Sequence, residues 1–189
     1  MKGKLIILSA PSGSGKTTIV HRILASRKDV EFSVSACSRA KRPNEIDGKD
    51  YYFFTAEEFK KRINNNEFLE WEEVYQGAYY GTLKSVVEKM RDNGTHIIFD
   101  VDVVGGLNIK KYATNDALAL FIMPPSIEEL EKRLRNRSTE TADSLKKRIA
   151  KATYELTFAN QFDQIIINDD LEKAVMETLH TINNFLDKS

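Results

Sequence analysis

Nine consecutive residues near the start of the chain have the types and the spacing that bind phosphate. Gly13 and Gly15 allow backbone conformations that a side chain forbids, so successive N–H groups can point at one anion. Lys16 can reach the β- and γ-phosphates, and the hydroxyl of Thr17 can ligate Mg²⁺. The segment lies between an apolar run and a helix-like run, as the motif G-x-x-x-x-G-K-[ST] requires, although its first position is Ala10. We therefore expect a nucleotide to be bound by Ala10, Pro11, Ser12, Gly13, Ser14, Gly15, Lys16, Thr17 and Thr18.

A carboxylate follows a later apolar run. Asp100 comes directly after Ile97, Ile98 and Phe99, which are apolar enough for a strand that is buried on both faces. Ligands of open α/β sheets collect at the carboxyl ends of the strands, so we expect Asp100 to lie near the phosphate loop. In phosphate-loop enzymes an aspartate at this position organises Mg²⁺ and its waters. The sequence therefore predicts that Thr17 and Asp100 hold a Mg²⁺ ion that accompanies the bound nucleotide.

The elements that must position these residues alternate along the chain. Extended segments are predicted over Lys4–Ser9, Phe32–Ala36, Phe68–Tyr75, Thr95–Asp100, Ala117–Met123 and Gln164–Ile167. Helices are predicted over Thr17–Arg27, Ala56–Asn64, Leu83–Asn93, Leu107–Tyr112, Ser126–Arg137, Thr141–Asn160 and Leu171–Leu186. Several strands are continuous apolar runs, which is typical of strands covered on both faces. We predict an α/β fold, a P-loop NTPase-type parallel sheet flanked by helices.

Two regions interrupt this alternation. Residues 35–82 are rich in Tyr, Glu and Gly and lack a strong apolar run, which indicates an inserted mixed α/β lobe. Residues 125–157 are bounded at their start by Pro124-Pro125 and are helical and strongly charged, which favours a mobile helical lid over a site. The core is then expected to comprise residues 1–34, 83–124 and 158–189.

A series of further motifs follows the phosphate loop. These are Phe32-Ser33-Val34-Ser35, Ser38-Arg39-Ala40-Lys41-Arg42-Pro43, Gly48-Lys49-Asp50-Tyr51, Asn66-Glu67-Phe68-Leu69-Glu70-Trp71, Tyr79-Tyr80-Gly81-Thr82, Asp100-Val101-Asp102, Pro124-Pro125-Ser126 and Ile167-Asn168-Asp169-Asp170. In that order and spacing the chain resembles the guanylate kinase family over nearly its whole length. The resemblance implies Mg²⁺-dependent transfer of a phosphoryl group from ATP to GMP, giving ADP and GDP.

The resemblance also implies a binding site for the acceptor in the inserted lobe. The residues that it assigns to the GMP phosphate are Ser35, Arg39, Arg42, Tyr51 and Tyr80. A phosphate that carries about two negative charges does need such a cluster of cations and hydroxyl donors. Lys41 is the weaker candidate, because lysines usually lie at the surface.

Recognition of the base rests on a carboxylate. Guanine presents two adjacent donors, N1–H and the 2-amino group, which one carboxylate can accept, whereas adenine would leave that carboxylate unpaired. By resemblance Glu70 has this role, and Thr82 and Asp102 complete the contacts with guanine. Taken alone, Glu70 could be a surface residue of the acidic run Glu70, Glu72 and Glu73.

The predicted lid carries arginines that could meet the transferred phosphoryl group. Arg133 and Arg137 are four residues apart, so they share one helix face. By resemblance they act with Arg148, Lys16 and Arg39 as the catalytic cations. The alternative for the lid arginines is a set of surface ion pairs with Glu128, Glu129 and Glu131. The resemblance places Asn168 and Asp169 at the adenine side of ATP.

The sequence does not suggest a general base. His21, His96 and His180 lie in unrelated contexts, without a Ser-His-Asp or Cys-His grouping. The implied nucleophile, an oxygen of the GMP phosphate, has a second pKa of about 6 and needs no base at neutral pH. Catalysis would then consist of in-line positioning and charge stabilisation.

Composition sets limits on the function classes. Lysine and arginine together number 28, as do aspartate and glutamate, and this balance argues against a general nucleic-acid or membrane-surface binder. The one cysteine, Cys37, cannot form an internal disulfide and is expected to be a small buried residue.

Without a credible export signal or long apolar run, we expect a cytoplasmic protein. The sequence does not indicate an oligomeric state.

Two alternatives remain open at this stage. One is a kinase for another monophosphate or for a phosphorylated sugar, against which Glu70, Thr82 and Asp102 argue. The other is a guanylate-kinase-like module that binds a phosphorylated peptide without catalysis, against which the intact Gly15-Lys16-Thr17 argues.

Overall fold

The computed structural model describes residues 1–135 and 142–187. Its strands β1 to β9 are, in chain order, Leu5–Ser9, Val30–Phe32, Ala36–Cys37, Tyr52–Phe53, Phe68–Tyr75, Ala78–Leu83, His96–Asp100, Ala117–Met123 and Gln164–Ile167. Its α-helices α1 to α7 are Lys16–Ser26, Ala56–Asn64, Lys84–Asp92, Val103–Ala113, Ile127–Arg135, Ala142–Leu156 and Leu171–Leu186. No helix within those described ranges is long and apolar enough to cross a membrane.

The central sheet has five parallel strands in the order β2-β7-β1-β8-β9. Strand β1 is fully buried because helices cover both faces of the sheet. Ile6 and Leu8 pack toward α1 and α7, and Leu5 and Ile7 pack toward α3 and α4. The predicted α/β fold with a parallel central sheet is confirmed.

Strand register brings the two predicted phosphate-binding segments together. Leu8 of β1 pairs with Asp100, the last residue of β7. The phosphate loop follows β1, so it begins beside the carboxylate of Asp100. This is the carboxyl edge of the sheet, where parallel α/β folds bind ligands.

A second sheet, in the order β4-β3-β6-β5, is formed by strands that lie between residues 36 and 83. The ring of Phe59 in α2 stacks on Phe68 at 4.3 Å and on Tyr79 at 5.7 Å. These rings and their apolar neighbours form a core separate from that of the parallel sheet. A capping box between Thr55 and Glu58 fixes the start of α2.

Helices α5 and α6 pack on each other and on the phosphate loop. Leu130 and Leu134 of α5 are buried with Ala152 of α6. A side chain on Gly13 would meet Leu134 Cδ2 at 3.0 Å and Leu130 Cδ1 at 3.1 Å. Helix α5 therefore lies directly against the loop, and a larger residue at position 13 would displace these leucine side chains.

Some predicted elements differ from the observed ones. The prediction of one strand over Phe32–Ala36 is wrong, because β2 belongs to the parallel sheet and β3 to the second sheet. The polar segment between them carries the chain from one sheet to the other. The periodicity also does not predict β6. A Cβ added to Gly81 of this strand would lie only 2.7 Å from the carbonyl oxygen of Glu70, so the backbones approach closely there.

Helix α4 begins earlier than the predicted Leu107–Tyr112, at Val103. The carboxylate of Asp102 caps it by accepting a hydrogen bond from the backbone N–H of Gly105 at 2.7 Å. The two glycines of its first turn weaken the helical signal there. In contrast, the predicted bounds Ala56–Asn64, Phe68–Tyr75, Ala117–Met123, Gln164–Ile167 and Leu171–Leu186 are confirmed.

Candidate active site

The phosphate loop has the backbone geometry that an anion site needs. Gly13 and Gly15 have φ angles of 95° and 87°, which side chains disfavour. Gly15 is the N-cap of α1, and no side chain caps that end of the helix. Its N–H groups and its positive dipole end are therefore left for a ligand. Ala10 is not among the residues with positive φ, so its methyl group fits in place of a first glycine.

Asp100 contacts two side chains of the phosphate loop. Its carboxylate forms an ion pair with Lys16 and accepts a hydrogen bond from the Thr17 hydroxyl at 2.9 Å. Lys16 also donates to the carbonyl of Val101 at 2.8 Å. The Thr17 hydroxyl and the Asp100 carboxylate are hard oxygen ligands of the kind that Mg²⁺ prefers.

A cleft of about 420 Å³ opens over the phosphate loop. Its lining consists of Ala10, Pro11, Ser12, Gly13, Ser14, Gly15, Lys16, Thr17, Asp100, Val101, Asp102, Arg148, Lys151 and Glu155. Arg148 reaches across from α6 and donates to the Ser12 hydroxyl at 3.0 Å. Thr18, also predicted to bind ATP, is exposed on α1 and is not part of the lining. Burial raises the pKa of Glu155, a carboxyl on the same wall.

A second cavity, of about 210 Å³, lies between the two sheets. Its lining consists of Ser35, Tyr51, Glu70, Glu72, Tyr80, Gly81, Asp100, Val101 and Asp102. Asp100, Val101 and Asp102 also line the first cleft, so the two cavities meet at the end of β7. Two ligands could therefore approach each other there.

Two of the base-recognition residues predicted from the sequence, Glu70 and Asp102, line this second cavity, whereas the third, Thr82, is buried beside Glu70 and is not part of the lining. Glu70 and Thr82 are paired across β5 and β6, and the Thr82 hydroxyl donates to Glu70 Oε1 at 2.5 Å. A side chain on Gly105 would meet Glu70 Oε2 at 3.0 Å and Asp102 Oδ1 at 3.2 Å, so both carboxylates point at the start of α4. Desolvation raises the pKa of Glu70 to about 7, with a smaller contribution from the neighbouring Asp102 charge.

The predicted phosphate-binding arginine of the lobe already has a partner. Both terminal nitrogens of Arg39 donate to the Glu45 carboxylate, at 2.7 and 2.5 Å. This bidentate pair raises the pKa of Arg39 and lowers that of Glu45 to about 2. The guanidinium also lies 5.0 Å from the ring centroid of Tyr51, and the Tyr80 side chain further raises the pKa of Arg39. Arg42 is exposed, and its backbone N–H donates to Glu45 at 2.8 Å.

Comparisons with known proteins identify the family of the chain. The family model described as guanylate kinase matches residues 2–186. A guanylate kinase of Bacteroides thetaiotaomicron is 57% identical over 188 residues, which is 100% of this chain and 92% of that protein. A guanylate kinase of Porphyromonas gingivalis is 50% identical, over 98% of this chain and 99% of that protein. The chain belongs to the guanylate kinase family.

A solved structure of the family has the same fold. The guanylate kinase of Anaplasma phagocytophilum superposes with a TM-score of 0.75 at 29% identity, covering 100% of this chain and 88% of that one. The predicted membership and the predicted fold are both confirmed.

Not every residue that the family resemblance suggested lines a cavity. Arg133 pairs with Glu129 at 3.1 Å and donates to the backbone carbonyl of Asn168 at 3.0 Å. Asn168 is buried, and its side chain faces the phosphate loop, whereas Asp169 is exposed. Arg137 lies outside the described residues. Cys37 is fully buried, as expected, and desolvation raises the pKa of its thiol.

Sequence reasoning missed four charged residues of the site: Glu45, Glu72, Lys151 and Glu155. Glu72 could have been found, because residues two apart on a strand share a face and Glu70 was already assigned. Burial, and secondarily the neighbouring Asp102 carboxyl, raise the pKa of Glu72, whose carboxylate lies 3.8 Å from the ammonium of Lys151 on α6. Lys151 and Glu155 occur in a helix with many charges, so their sequence context does not distinguish them.

Proposed function

We propose that this guanylate kinase family member transfers the γ-phosphoryl group of ATP to GMP, giving ADP and GDP. The observation that carries the proposal is the shared edge of the two cavities. One cavity contains a phosphate loop and the other contains the Glu70 carboxylate, and they meet at Asp100, Val101 and Asp102.

ATP is assigned to the cleft over the phosphate loop. Residues 10–17 would hold its phosphates through backbone N–H groups, and Lys16 would contact the β- and γ-phosphates. Thr17 and Asp100 would hold Mg²⁺, which when bound neutralises charge on the phosphates. The described residues contain no cluster of three or more His, Cys, Asp or Glu suited to a metal, so phosphate oxygens and water would complete its coordination.

GMP is assigned to the second cavity. An ionised Glu70 would accept hydrogen bonds from N1–H and the 2-amino group of guanine, with Thr82 and Asp102 completing the contacts. Its raised pKa means that Glu70 must lose a proton to do so. AMP offers no matching pair of donors and would leave a desolvated carboxylate unpaired, so GMP is favoured over AMP.

The phosphate of GMP is assigned to Ser35, Arg39, Arg42, Tyr51 and Tyr80. The pair with Glu45 holds the guanidinium of Arg39 over the ring of Tyr51. Preorganisation of this kind lowers the entropy lost when the phosphate binds.

Transfer needs no general base, because the attacking phosphate oxygen is already deprotonated at neutral pH. The P–O bond between the γ-phosphorus and the β,γ-bridging oxygen breaks as the bond to the GMP phosphate oxygen forms. Lys16, Arg39 and Arg148 are proposed to stabilise the charge on the moving group, together with Arg133 and Arg137.

We further propose that residues 35–82 act as a GMP-binding lobe and residues 125–157 as a lid, whose closure on the core excludes water.

A coupled assay of ADP release tests the proposal. The purified protein receives MgATP with GMP, dGMP, AMP, UMP or dTMP in turn. We expect turnover with GMP and little or none with AMP, UMP or dTMP. Absence of GMP-dependent ADP release would refute the assigned reaction, and equal rates with AMP would refute the assigned base contacts.

A further inference from the structure

Asn168, at the end of β9, is held between the central sheet and the phosphate loop. Its exposed fraction is 4%. Its backbone N–H donates to the carbonyl of Met123 at 2.8 Å, which fixes it to the neighbouring strand. Its side-chain Nδ2 donates to the backbone carbonyl of Ser14 at 2.7 Å. The side chain therefore binds the loop from the protein interior.

Asn168 also contacts the next residue of the loop. An ideal Cβ on Gly15 would lie 2.4 Å from Asn168 Nδ2, so the amide sits directly against the Gly15 backbone. Gly15 has a φ angle of 87° and immediately precedes Lys16. Glycine is thus required here both by the backbone conformation and by the approach of Asn168.

The orientation of one peptide unit follows from this hydrogen bond. In a trans peptide the C=O of Ser14 and the N–H of Gly15 point in opposite directions. Because Asn168 draws the carbonyl inward, the N–H of Gly15 is turned outward, toward the cleft. An inverted peptide would instead present a carbonyl oxygen to the phosphates, which repels them.

We propose that Asn168 is a positioning residue of the phosphate loop: its amide sets the Ser14–Gly15 peptide so that the loop presents N–H groups to a nucleotide di- or triphosphate. The same residue also connects the loop to α5, since its carbonyl accepts the hydrogen bond from Arg133. This role is independent of the base, unlike the contact with adenine that the sequence led us to expect. It rests on the assignment of ATP to this cleft.

The test replaces the amide by groups of defined hydrogen-bonding ability. Asn168→Asp keeps the shape but has no donor when ionised, and it regains an O–H donor when protonated. Asn168→Ala has no donor at any pH. Asn108→Asp makes the same chemical change at an exposed position on α4 and serves as the control. Calorimetry without GMP gives the Kd for ADP from pH 5.5 to 8, expressed relative to the wild type at each pH.

At pH 8 we expect Asn168→Asp and Asn168→Ala to bind ADP about 10- to 100-fold more weakly than the wild type, because a buried carbonyl loses its partner. As the pH falls to 5.5, Asn168→Asp should recover most of the lost affinity while Asn168→Ala should not. Asn108→Asp should match the wild type throughout. The Kd for GMP should stay within about twofold in all variants, which separates loop positioning from a folding defect.

A second nucleotide separates positioning from base recognition. CDP shares the diphosphate of ADP but not its base, so its Kd should rise by the same factor as that of ADP in each Asn168 variant. A loss confined to ADP, identical pH profiles for Asn168→Asp and Asn168→Ala, or parallel loss of GMP binding would each overturn the proposal. If Asn168→Asp fails to fold at neutral pH, its comparison with Asn168→Ala at pH 5.5 carries the test, because Asn168→Asp should then bind ADP more tightly than Asn168→Ala with GMP binding equal, and equal affinities for ADP would overturn the proposal. Failure of the wild type to phosphorylate GMP would refute the proposed reaction and leave this binding test standing.

Discussion

The hydroxyl of Thr82 donates to the Glu70 carboxylate at 2.5 Å, inside a cavity whose desolvation holds the pKa of Glu70 at about 7. Two opposing effects act on this carboxyl, because burial favours the neutral form and the hydrogen bond favours the charged form. Burial dominates in the free protein. Guanine, with two donors, would shift the balance toward the carboxylate.

Replacing Glu70 by glutamine should erode selectivity for the base. Glutamine keeps the size of the side chain but presents only one acceptor oxygen, so guanine loses one partner and meets an N–H instead. We expect kcat/KM for GMP to fall by about 10² to 10³-fold and the ratio of GMP to AMP to fall with it. Glu73→Gln, on the opposite face of β5, is the control. An unchanged ratio would mean that Glu70 does not read the base.

The affinity for guanosine should depend on pH through Glu70. Because burial raises the pKa of this carboxyl to about 7, it is mostly protonated at pH 6, and binding there must remove the proton. Affinity should therefore rise about tenfold from pH 6 to pH 8. Guanosine is used because it lacks the titrating phosphate of GMP. The measurement is Kd by calorimetry, and Glu70→Gln should remove the dependence.

Raising the pH should lower the contribution of Glu70 to the free energy of unfolding, although it raises the affinity for guanosine. Its pKa rises from 4.5 to about 7 on folding, so the folded state binds more protons between those values. Its contribution to the free energy of unfolding therefore falls as the pH rises from 4.5 to 7. Denaturant unfolding of the wild type and of Glu70→Gln across that range should differ in slope, and parallel curves would contradict the raised pKa.

Lys16→Ala should separate turnover from binding of the acceptor. Lys16 lines the cleft assigned to ATP and is not part of the second cavity. We expect kcat to fall by about 10² to 10³-fold, with the Kd for GMP within about threefold of the wild type. Lys28→Ala, an exposed lysine after α1, provides the matched control. Near-normal turnover of Lys16→Ala would show that this lysine is misassigned.

The ion pair between Lys151 and Glu72 should contribute modestly to turnover. It joins α6 to β5 at 3.8 Å and is partly exposed, so reversing one charge should lower kcat/KM by about two- to fivefold. Lys151→Glu combined with Glu72→Lys should recover part of that loss, because the pair is then reformed with its charges exchanged. Lys147→Glu, exposed one turn away, should have no effect on the steady-state rates. A double variant that is worse than the product of the single effects would contradict the pairing.

Much of the fold and of the donor site could be predicted from the sequence. Long apolar runs such as Ala117–Met123 determine buried strands, and the phosphate loop depends on local backbone requirements that Gly13 and Gly15 display. Pairings between distant segments could not be predicted. The amide of Asn168 is 154 residues from Ser14, and no local pattern indicates which side of the loop it faces. The partner of Arg39 was also missed, because its identity depends on how the loop between β3 and β4 folds.

The most direct test of the account follows the phosphoryl group itself. ATP labelled with ³²P at the γ-position is mixed with Mg²⁺, GMP and the protein, and the products are separated. The account predicts that the label appears in GDP, in equal amount to the ADP formed, and that AMP in place of GMP yields almost none in a diphosphate. Label released as inorganic phosphate, or retained in ATP while GMP is present, would contradict it.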